Sequence, residues 1–127
     1  MKTILVDAID CLCYKDTTIF QEMYELLESY PNKKIILTGA NDDQFKQFGL
    51  DAMPYEVFTL KHNPEKTDSS YYQQMLKYFA LSANDVVYFE HNLDAVKSAQ
   101  SIGINAYHYD NERKNLVGLK LFLDKNV

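Results

Sequence analysis

The chain has 127 residues, of which 46% are hydrophobic and 24% are charged, a composition typical of one globular domain with its own core. Its 13 basic and 18 acidic side chains give a net charge of −5 at pH 7, which argues against nucleic acid or an anionic membrane as the main partner. No apolar run reaches the roughly twenty residues of a membrane span, and the first residues do not follow the pattern of a secretory signal. We therefore expect a cytoplasmic protein with a single domain over residues 1–127.

The hydrophobic pattern predicts strands and helices that alternate along the whole chain. Strands are predicted at residues 2–6, 33–38, 55–60, 85–89 and 104–109. The first predicted helix covers about residues 19–30, with capping oxygens from Asp16, Thr17 or Thr18. Further helices are predicted at 41–48, after the polar loop 62–68, at about 93–101 and around 116–123. Strands separated by helices in this way imply an α/β fold, with a mainly parallel five-stranded sheet covered by helices on both faces.

The first predicted strand runs directly into an aspartate, Asp7. A carboxylate at the carboxyl end of a parallel strand lies where open α/β sheets bind their ligands. The run from Ile4 to Leu12 resembles the first motif of the haloacid dehalogenase-like (HAD) hydrolases, in which one Asp is the nucleophile and a second Asp, two residues later, is the acid/base. In this chain Asp7 has the nucleophile position, and Ile9 has the acid/base position. The resemblance also implies that Asp7 and the backbone carbonyl of Ile9 are metal ligands.

Two further segments resemble the second and third motifs of the same superfamily. Thr38 and Gly39 close the second apolar strand, where the family uses a hydroxyl and the following backbone N–H groups to hold a phosphoryl oxygen. Lys66 precedes a short turn and a helix that begins near two tyrosines, as in the third motif. The resemblance implies that Lys66 neutralises charge between the nucleophile and the phosphoryl group, with Lys61 as the competing candidate.

The segment after the fourth predicted strand resembles the fourth motif in its order of apolar strand, polar turn and helix, but its acidic residues differ from those of the motif. The family has an acidic pair there, whereas this chain has Glu90 and His91. Because Mg²⁺ prefers hard oxygen ligands, Glu90 and Asp94 are the expected metal ligands, and the imidazole of His91 suits magnesium poorly. Asn92 is a candidate for substrate binding. The alternatives are that Asp94 caps the following helix and that His91 is a surface histidine.

The resemblance spans nearly the whole chain and implies a Rossmann-like HAD core without a cap domain. It implies a catalytic set of Asp7, Thr38 and Lys66, with Mg²⁺ as the cofactor and a phosphorylated substrate or a phosphate-bearing partner. Only about thirty residues separate Asp7 from Thr38, which leaves no room for a cap. A second copy of the chain or another protein would then have to cover the open site and exclude water.

Ile9 leaves three functions open. A positioned acid/base group contributes about 10²–10⁴-fold to the rate, and Ile9 cannot supply it. The chain is therefore either a phosphatase limited by that loss or a non-catalytic binding module that has kept the pocket. The third alternative is a dehalogenase-type hydrolase, which needs neither a metal nor a leaving-group acid.

The two cysteines, Cys11 and Cys13, lie in the loop after the first predicted strand. Their separation matches neither the C-x-x-C spacing of redox motifs nor that of a zinc knuckle. We expect two reduced thiols, with a reactive thiol near the site as the alternative.

Overall fold

The computed structural model describes residues 1–127 and contains one five-stranded sheet between two layers of helices. The strands are β1 (Thr3–Asp7), β2 (Lys34–Thr38), β3 (Glu56–Thr59), β4 (Val86–Glu90) and β5 (Asn105–His108). The helices are α1 (Gln21–Glu28), α2 (Asp42–Gln47), α3 (Ser69–Phe79), α4 (Leu93–Ser101) and α5 (Leu116–Asn126). None of these helices has the length and apolar character that a membrane crossing requires.

All strand pairs are parallel, and the strand order is β3-β2-β1-β4-β5. The strand β1 is central: Val6 is in register with Ile36 of β2 on one side and with Phe89 of β4 on the other. The chain first builds the sheet outward from β1 through β2 and β3, and then continues on the other side with β4 and β5. Ligands of open α/β sheets bind at the carboxyl ends of the strands where this direction changes. The predicted α/β class with a parallel five-stranded sheet is confirmed.

The two faces of the sheet bury separate cores, because successive side chains of a strand point to opposite faces. Ile4 and Val6 pack on the face covered by α1 and α5. Leu5 lies on the face covered by α3 and α4. Every residue of β1, β2 and β4 is buried, and the inner residues of these three strands form continuous apolar runs.

The structure corrects the predicted start of the first helix. Asp16 accepts hydrogen bonds from the backbone N and the hydroxyl of Thr18, and it therefore closes a local turn instead of capping α1. Thr17 has a positive φ of 76°, and Ile19 pairs with Cys13 in an isolated bridge. The helix α1 begins only at Gln21, without a side-chain cap.

The strand β4 ends one residue later than predicted, because Glu90 is in register with His108 of β5. Glu90 therefore belongs to the sheet and is fully buried. The cap of α4 is Asn92, whose side chain accepts hydrogen bonds from the backbone N of Asp94 and of Ala95. Asp94 itself lies in the first turn of α4, so the alternative that Asp94 is the cap was wrong.

Candidate active site

Three neighbouring strands place polar side chains at the carboxyl-terminal edge of the sheet, where the parallel strands end. Asp7 ends β1, Thr38 ends β2 and Glu90 ends β4. Lys66 enters this edge from the loop between β3 and α3. Parallel strands in register bring their carboxyl ends to the same edge, so residues far apart in sequence meet there.

Lys66 links the two buried carboxylates. Its Nζ donates to Asp7 Oδ1 at 2.7 Å, to Glu90 Oε1 at 2.6 Å and to the backbone carbonyl of Leu37 at 3.3 Å. These bonds use all three hydrogens of the ammonium group. Lys61, the competing candidate, instead pairs with the exposed Asp42 at 3.0 Å. The predicted proximity of Asp7 and Lys66 at this edge is confirmed, while their catalytic roles stay predictions.

His91 occupies the other side of the Asp7 carboxylate. Its Nδ1 lies 2.5 Å from Asp7 Oδ2 and 3.2 Å from Glu90 Oε2. Its backbone N donates to the same Asp7 oxygen at 3.3 Å. The side chain is 29% exposed, and its backbone carbonyl lies 2.9 Å from Nε2 of His108. His91 therefore belongs to one polar cluster with Asp7, Lys66 and Glu90, and it is a partly buried member of the site and not only a surface histidine.

The ionisation of the cluster follows from burial and from the pairing of opposite charges. Hydrogen bonds to Asp7 and to Glu90 raise the pKa of His91 to about 10. Burial acts to lower the pKa of Lys66, but Asp7 and Glu90 outweigh it, so this pKa lies well above its usual value. Lys66 and His91 are therefore both cations at neutral pH, and both contact the carboxyl groups of Asp7 and Glu90.

The two carboxylates differ in their electrostatic surroundings. Burial, together with the nearby charge of Glu90, raises the pKa of Asp7. Burial acts in the same direction on Glu90, but the ammonium of Lys66 opposes it and the pKa of Glu90 falls well below its usual value. Asp7 is thus the carboxyl group whose charge is less stabilised by the protein.

Two further members of the cluster are Cys11, which the sequence offered only as the alternative of a reactive thiol near the site, and Tyr88, which the sequence analysis missed. Cys11 donates from Sγ to Asp7 Oδ2 at 3.2 Å, and burial raises the pKa of this thiol well above its usual value. Tyr88 donates to Glu90 Oε1 at 2.6 Å. Tyr88 could have been found, because it precedes Glu90 by two residues and therefore shares its face of β4. The sequence did not distinguish Cys11 from Cys13 in this respect, because the position of Cys11 depends on the tight turn around the carbonyl of Ala8.

The predicted substrate-binding residues divide into two groups. Gly39, Lys66 and Asn92 line a cavity of about 200 Å³. Thr38 does not line it: its Oγ1 accepts from the backbone N of Ala40 at 3.2 Å. The other lining residues are His62, Glu65, Thr67, Glu90, His91 and Ala95. This cavity lies beside Lys66.

A second cavity, of about 380 Å³, also borders His91. It is bordered by His91, His108, Tyr109, Asp110, Asn111 and Glu112. His91 is the one residue that borders both cavities, so its side chain connects the buried Asp7 with two openings.

The donor set does not fit Mg²⁺, which requires an octahedral shell of hard oxygens. The Asp7 oxygens face Lys66 and the imidazole of His91, and Asp94 is exposed on α4. The ion would add two positive charges beside two cations already in place. The predicted ligand set of Asp7, the Ile9 carbonyl, Glu90 and Asp94 is therefore incomplete, because His91 stands where the resemblance expects an acid.

Comparison with solved structures gives the same fold. The protein is similar to an uncharacterized protein from Listeria monocytogenes, with 16% identity, a TM-score of 0.67 and coverage of 90% of this chain and 81% of that chain. The core domain of a putative phosphoglycolate phosphatase from Streptococcus pneumoniae has 17% identity and a TM-score of 0.58, with coverage of 87% and 81%. L-2-haloacid dehalogenase from Xanthobacter autotrophicus has 19% identity and a TM-score of 0.60, with coverage of 87% of this chain but only 52% of the dehalogenase.

These neighbours define the class of fold. The protein has a HAD-like fold, which it shares with the core domain of that putative phosphatase and with the haloacid dehalogenase. No family model matches the sequence, and no curated protein matches it either. The likeness therefore establishes the fold, and the chemistry has to be argued from the site.

Proposed function

We propose that this protein is a HAD-type hydrolase in which Asp7 is the nucleophile and two protein cations take the place of a metal ion. The observation that carries the proposal is the position of the Asp7 carboxylate, which lies between Lys66 and His91 at the carboxyl end of the central strand. A carboxylate that attacks a phosphoryl group needs positive charge nearby, because nucleophile and substrate are both anions.

The proposed reaction begins with attack of an Asp7 oxygen on phosphorus. A bond forms between Asp7 and phosphorus, the bond from phosphorus to the leaving oxygen breaks, and the leaving group departs with the electron pair. Lys66 and His91 offset the negative charge throughout this step. Water then attacks the aspartyl phosphate, which releases inorganic phosphate and restores Asp7.

Ile9 limits the substrates of this reaction. Its side chain can neither protonate a leaving oxygen nor activate water, functions worth about 10²–10⁴-fold in rate. The proposal is therefore restricted to phosphates whose leaving groups depart without a proton, such as acyl and aryl phosphates.

The cavity beside Lys66 is the proposed phosphoryl-binding site. Its volume of about 200 Å³ suits a phosphoryl group with a small substituent, and Gly39 and Asn92 lie on its wall. Binding requires Lys66 to exchange one of its three protein contacts for a phosphoryl oxygen. Because the site is open, we also propose that a large substrate or a protein partner, including a second copy of the chain, covers it during reaction.

One observation favours a second function, that of a non-catalytic binding module. All three hydrogens of the Lys66 ammonium are used within the protein, and each Asp7 oxygen accepts at least one hydrogen bond. In this alternative the cluster stabilises the fold, and the cavity holds a phosphate-bearing partner without turnover.

The experiment compares acetyl phosphate and p-nitrophenyl phosphate with an alkyl phosphate, each with Mg²⁺ and with EDTA. We expect hydrolysis of the first two in EDTA, little of the third, and loss of all activity in Asp7→Asn. The matched control is Asp10→Asn, which removes an acid from the same loop outside the cluster. Ile9→Asp should raise alkyl phosphate turnover by up to about 10²–10⁴-fold.

Other outcomes would each select a different function. If activity requires Mg²⁺ and is lost in Asp94→Asn, the result would support the magnesium site predicted from the sequence. Release of halide from 2-chloropropionate in EDTA would favour a dehalogenase. Binding of phosphate without any turnover, in the wild type and in Ile9→Asp, would establish the non-catalytic module.

A further inference from the structure

Three kinds of metal-binding atom lie close together beside β1: a carboxylate oxygen of Asp7, the sulfur of Cys11 and a ring nitrogen of His91. His91 Nδ1 lies 2.5 Å and Cys11 Sγ 3.2 Å from Asp7 Oδ2, and Sγ and Nδ1 are 3.8 Å apart. Asp7 and Cys11 are buried, whereas the side chain of His91 is 29% exposed. A carboxylate oxygen, a thiol and an imidazole form a donor set that differs in kind from the all-oxygen shell of magnesium.

The dimensions of this triangle suit a tetrahedral ion. Zinc binds oxygen and nitrogen at about 2.0–2.2 Å and sulfur at about 2.3 Å, so its ligand atoms are separated by roughly 3.3–3.6 Å in a tetrahedral site. The three observed separations, from 2.5 to 3.8 Å, bracket that range. Shifts of less than about 1 Å would seat all three donors on one ion.

We propose that Asp7, Cys11 and His91 bind a zinc-class divalent ion, with the fourth position open to the cavities that His91 borders. The two ends of the ligand set are 84 residues apart in sequence. The fold brings these ligands together, so they do not form a local sequence motif. For this reason the spacing of Cys11 and Cys13 does not match a known zinc motif.

The donor types favour this ion over magnesium. Zinc binds thiolate sulfur and imidazole nitrogen together with a carboxylate oxygen, whereas magnesium has low affinity for sulfur and nitrogen.

The proposal is independent of turnover by Asp7. An ion on Asp7 Oδ2 would compete with the attack of this carboxylate on a substrate, so a zinc-loaded protein should be inhibited if the protein is a hydrolase. The metal site can be measured in either case, because its optical and thermal signals do not require a reaction.

The test uses Co²⁺ as a spectroscopic probe, with the full chain in a reduced and chelator-free buffer. We expect visible d–d bands of a four-coordinate ion and a near-ultraviolet thiolate-to-cobalt charge-transfer band, both removed by one equivalent of Zn²⁺ and not by excess Mg²⁺. Zn²⁺ should also raise the melting temperature of the wild type, since it binds the native state.

Two cysteine variants make the test specific. Cys11→Ser should lose the charge-transfer band and bind Zn²⁺ at least about 100-fold more weakly, whereas Cys13→Ser, the neighbouring buried thiol, should keep both. His91→Gln should weaken binding to a similar extent and retain the thiolate band at high Co²⁺, which provides a second measure if Cys11→Ser does not fold. A charge-transfer band that persists in Cys11→Ser, its loss in Cys13→Ser, or no Zn²⁺ binding by the wild type would overturn the proposal.

Discussion

At the scale of single residues, His91 determines the character of the site. It follows Glu90 at the end of β4, and its Nδ1 contacts both Asp7 and Glu90. The imidazolium thereby supplies positive charge at a place where the HAD resemblance expects a metal ligand. This side chain explains why magnesium does not fit the site.

The raised pKa of His91 predicts how its contribution to stability depends on pH. The pKa is about 10 in the folded protein against 6.5 for an ordinary histidine. Below about pH 6 His91 is protonated in both the folded and the unfolded state, and its ion pair contributes fully to stability. Above pH 6.5 the unfolded state loses this proton first, so the contribution to stability declines with rising pH until about pH 10. We expect the total change in the unfolding free energy contributed by His91 to be on the order of 2 kcal/mol, which includes a discount for the partial exposure of the ring.

The measurement is urea unfolding of the wild type and His91→Gln at pH 6, 8 and 10. The difference in unfolding free energy should be largest at pH 6 and smallest at pH 10. A difference that stays constant or grows with pH would show that His91 is not held as a cation in the native protein.

At the scale of elements, the corner between β4 and α4 holds the site in place. Glu90 Oε2 accepts from the backbone N of Asn92 at 3.0 Å, and the Asn92 side chain caps the first turn of α4. The first backbone N–H groups of a helix have no partner within the helix, so Asn92 links the start of α4 to the buried cluster. The same corner therefore stabilises the start of α4 and orients Glu90 and His91.

Removal of the Asn92 cap should lower the free energy of unfolding by about 1 kcal/mol in Asn92→Ala. Asn41→Ala is the matched control, because Asn41 caps α2 in the same way and belongs to a capping box away from the cluster. We expect a similar loss in the control by urea unfolding, and Asn92→Asp should keep most of the stability. An Asn92→Ala protein as stable as the wild type would contradict the role of this cap.

At the scale of the whole molecule, the centre of the sheet carries the stability. The strands β1, β2 and β4 are buried over their full length, whereas the edge strands β3 and β5 are partly exposed. Asp7 and Glu90 therefore lie on the most protected strands, and the lysine that joins them comes from a loop. A rigid pair of carboxylates with a more accessible partner is the arrangement that a ligand site requires.

Native-state hydrogen exchange should reflect this difference between centre and edge. Amides of Ile4, Leu5 and Val6 should exchange only through global unfolding, whereas those of Val57 and Phe58 on β3 should exchange faster through local opening. The measurement is exchange followed by NMR or mass spectrometry under native conditions. Equal protection of β1 and β3 would show that the sheet opens as one unit.

The sequence by itself determined the order of the elements and the parallel sheet, and the resemblance of its motifs to those of the HAD hydrolases predicted the meeting of Asp7 with Lys66. Continuous apolar runs between amphipathic segments allow few other arrangements, and strand ends in a parallel sheet converge. It did not determine the contacts of Cys11, Tyr88 and His91 with the two carboxylates, because the direction of a side chain depends on the loop or strand that carries it. The register of Glu90 with His108 lengthened β4 and buried Glu90, and only the folded chain then placed His91 against Asp7, 84 residues away.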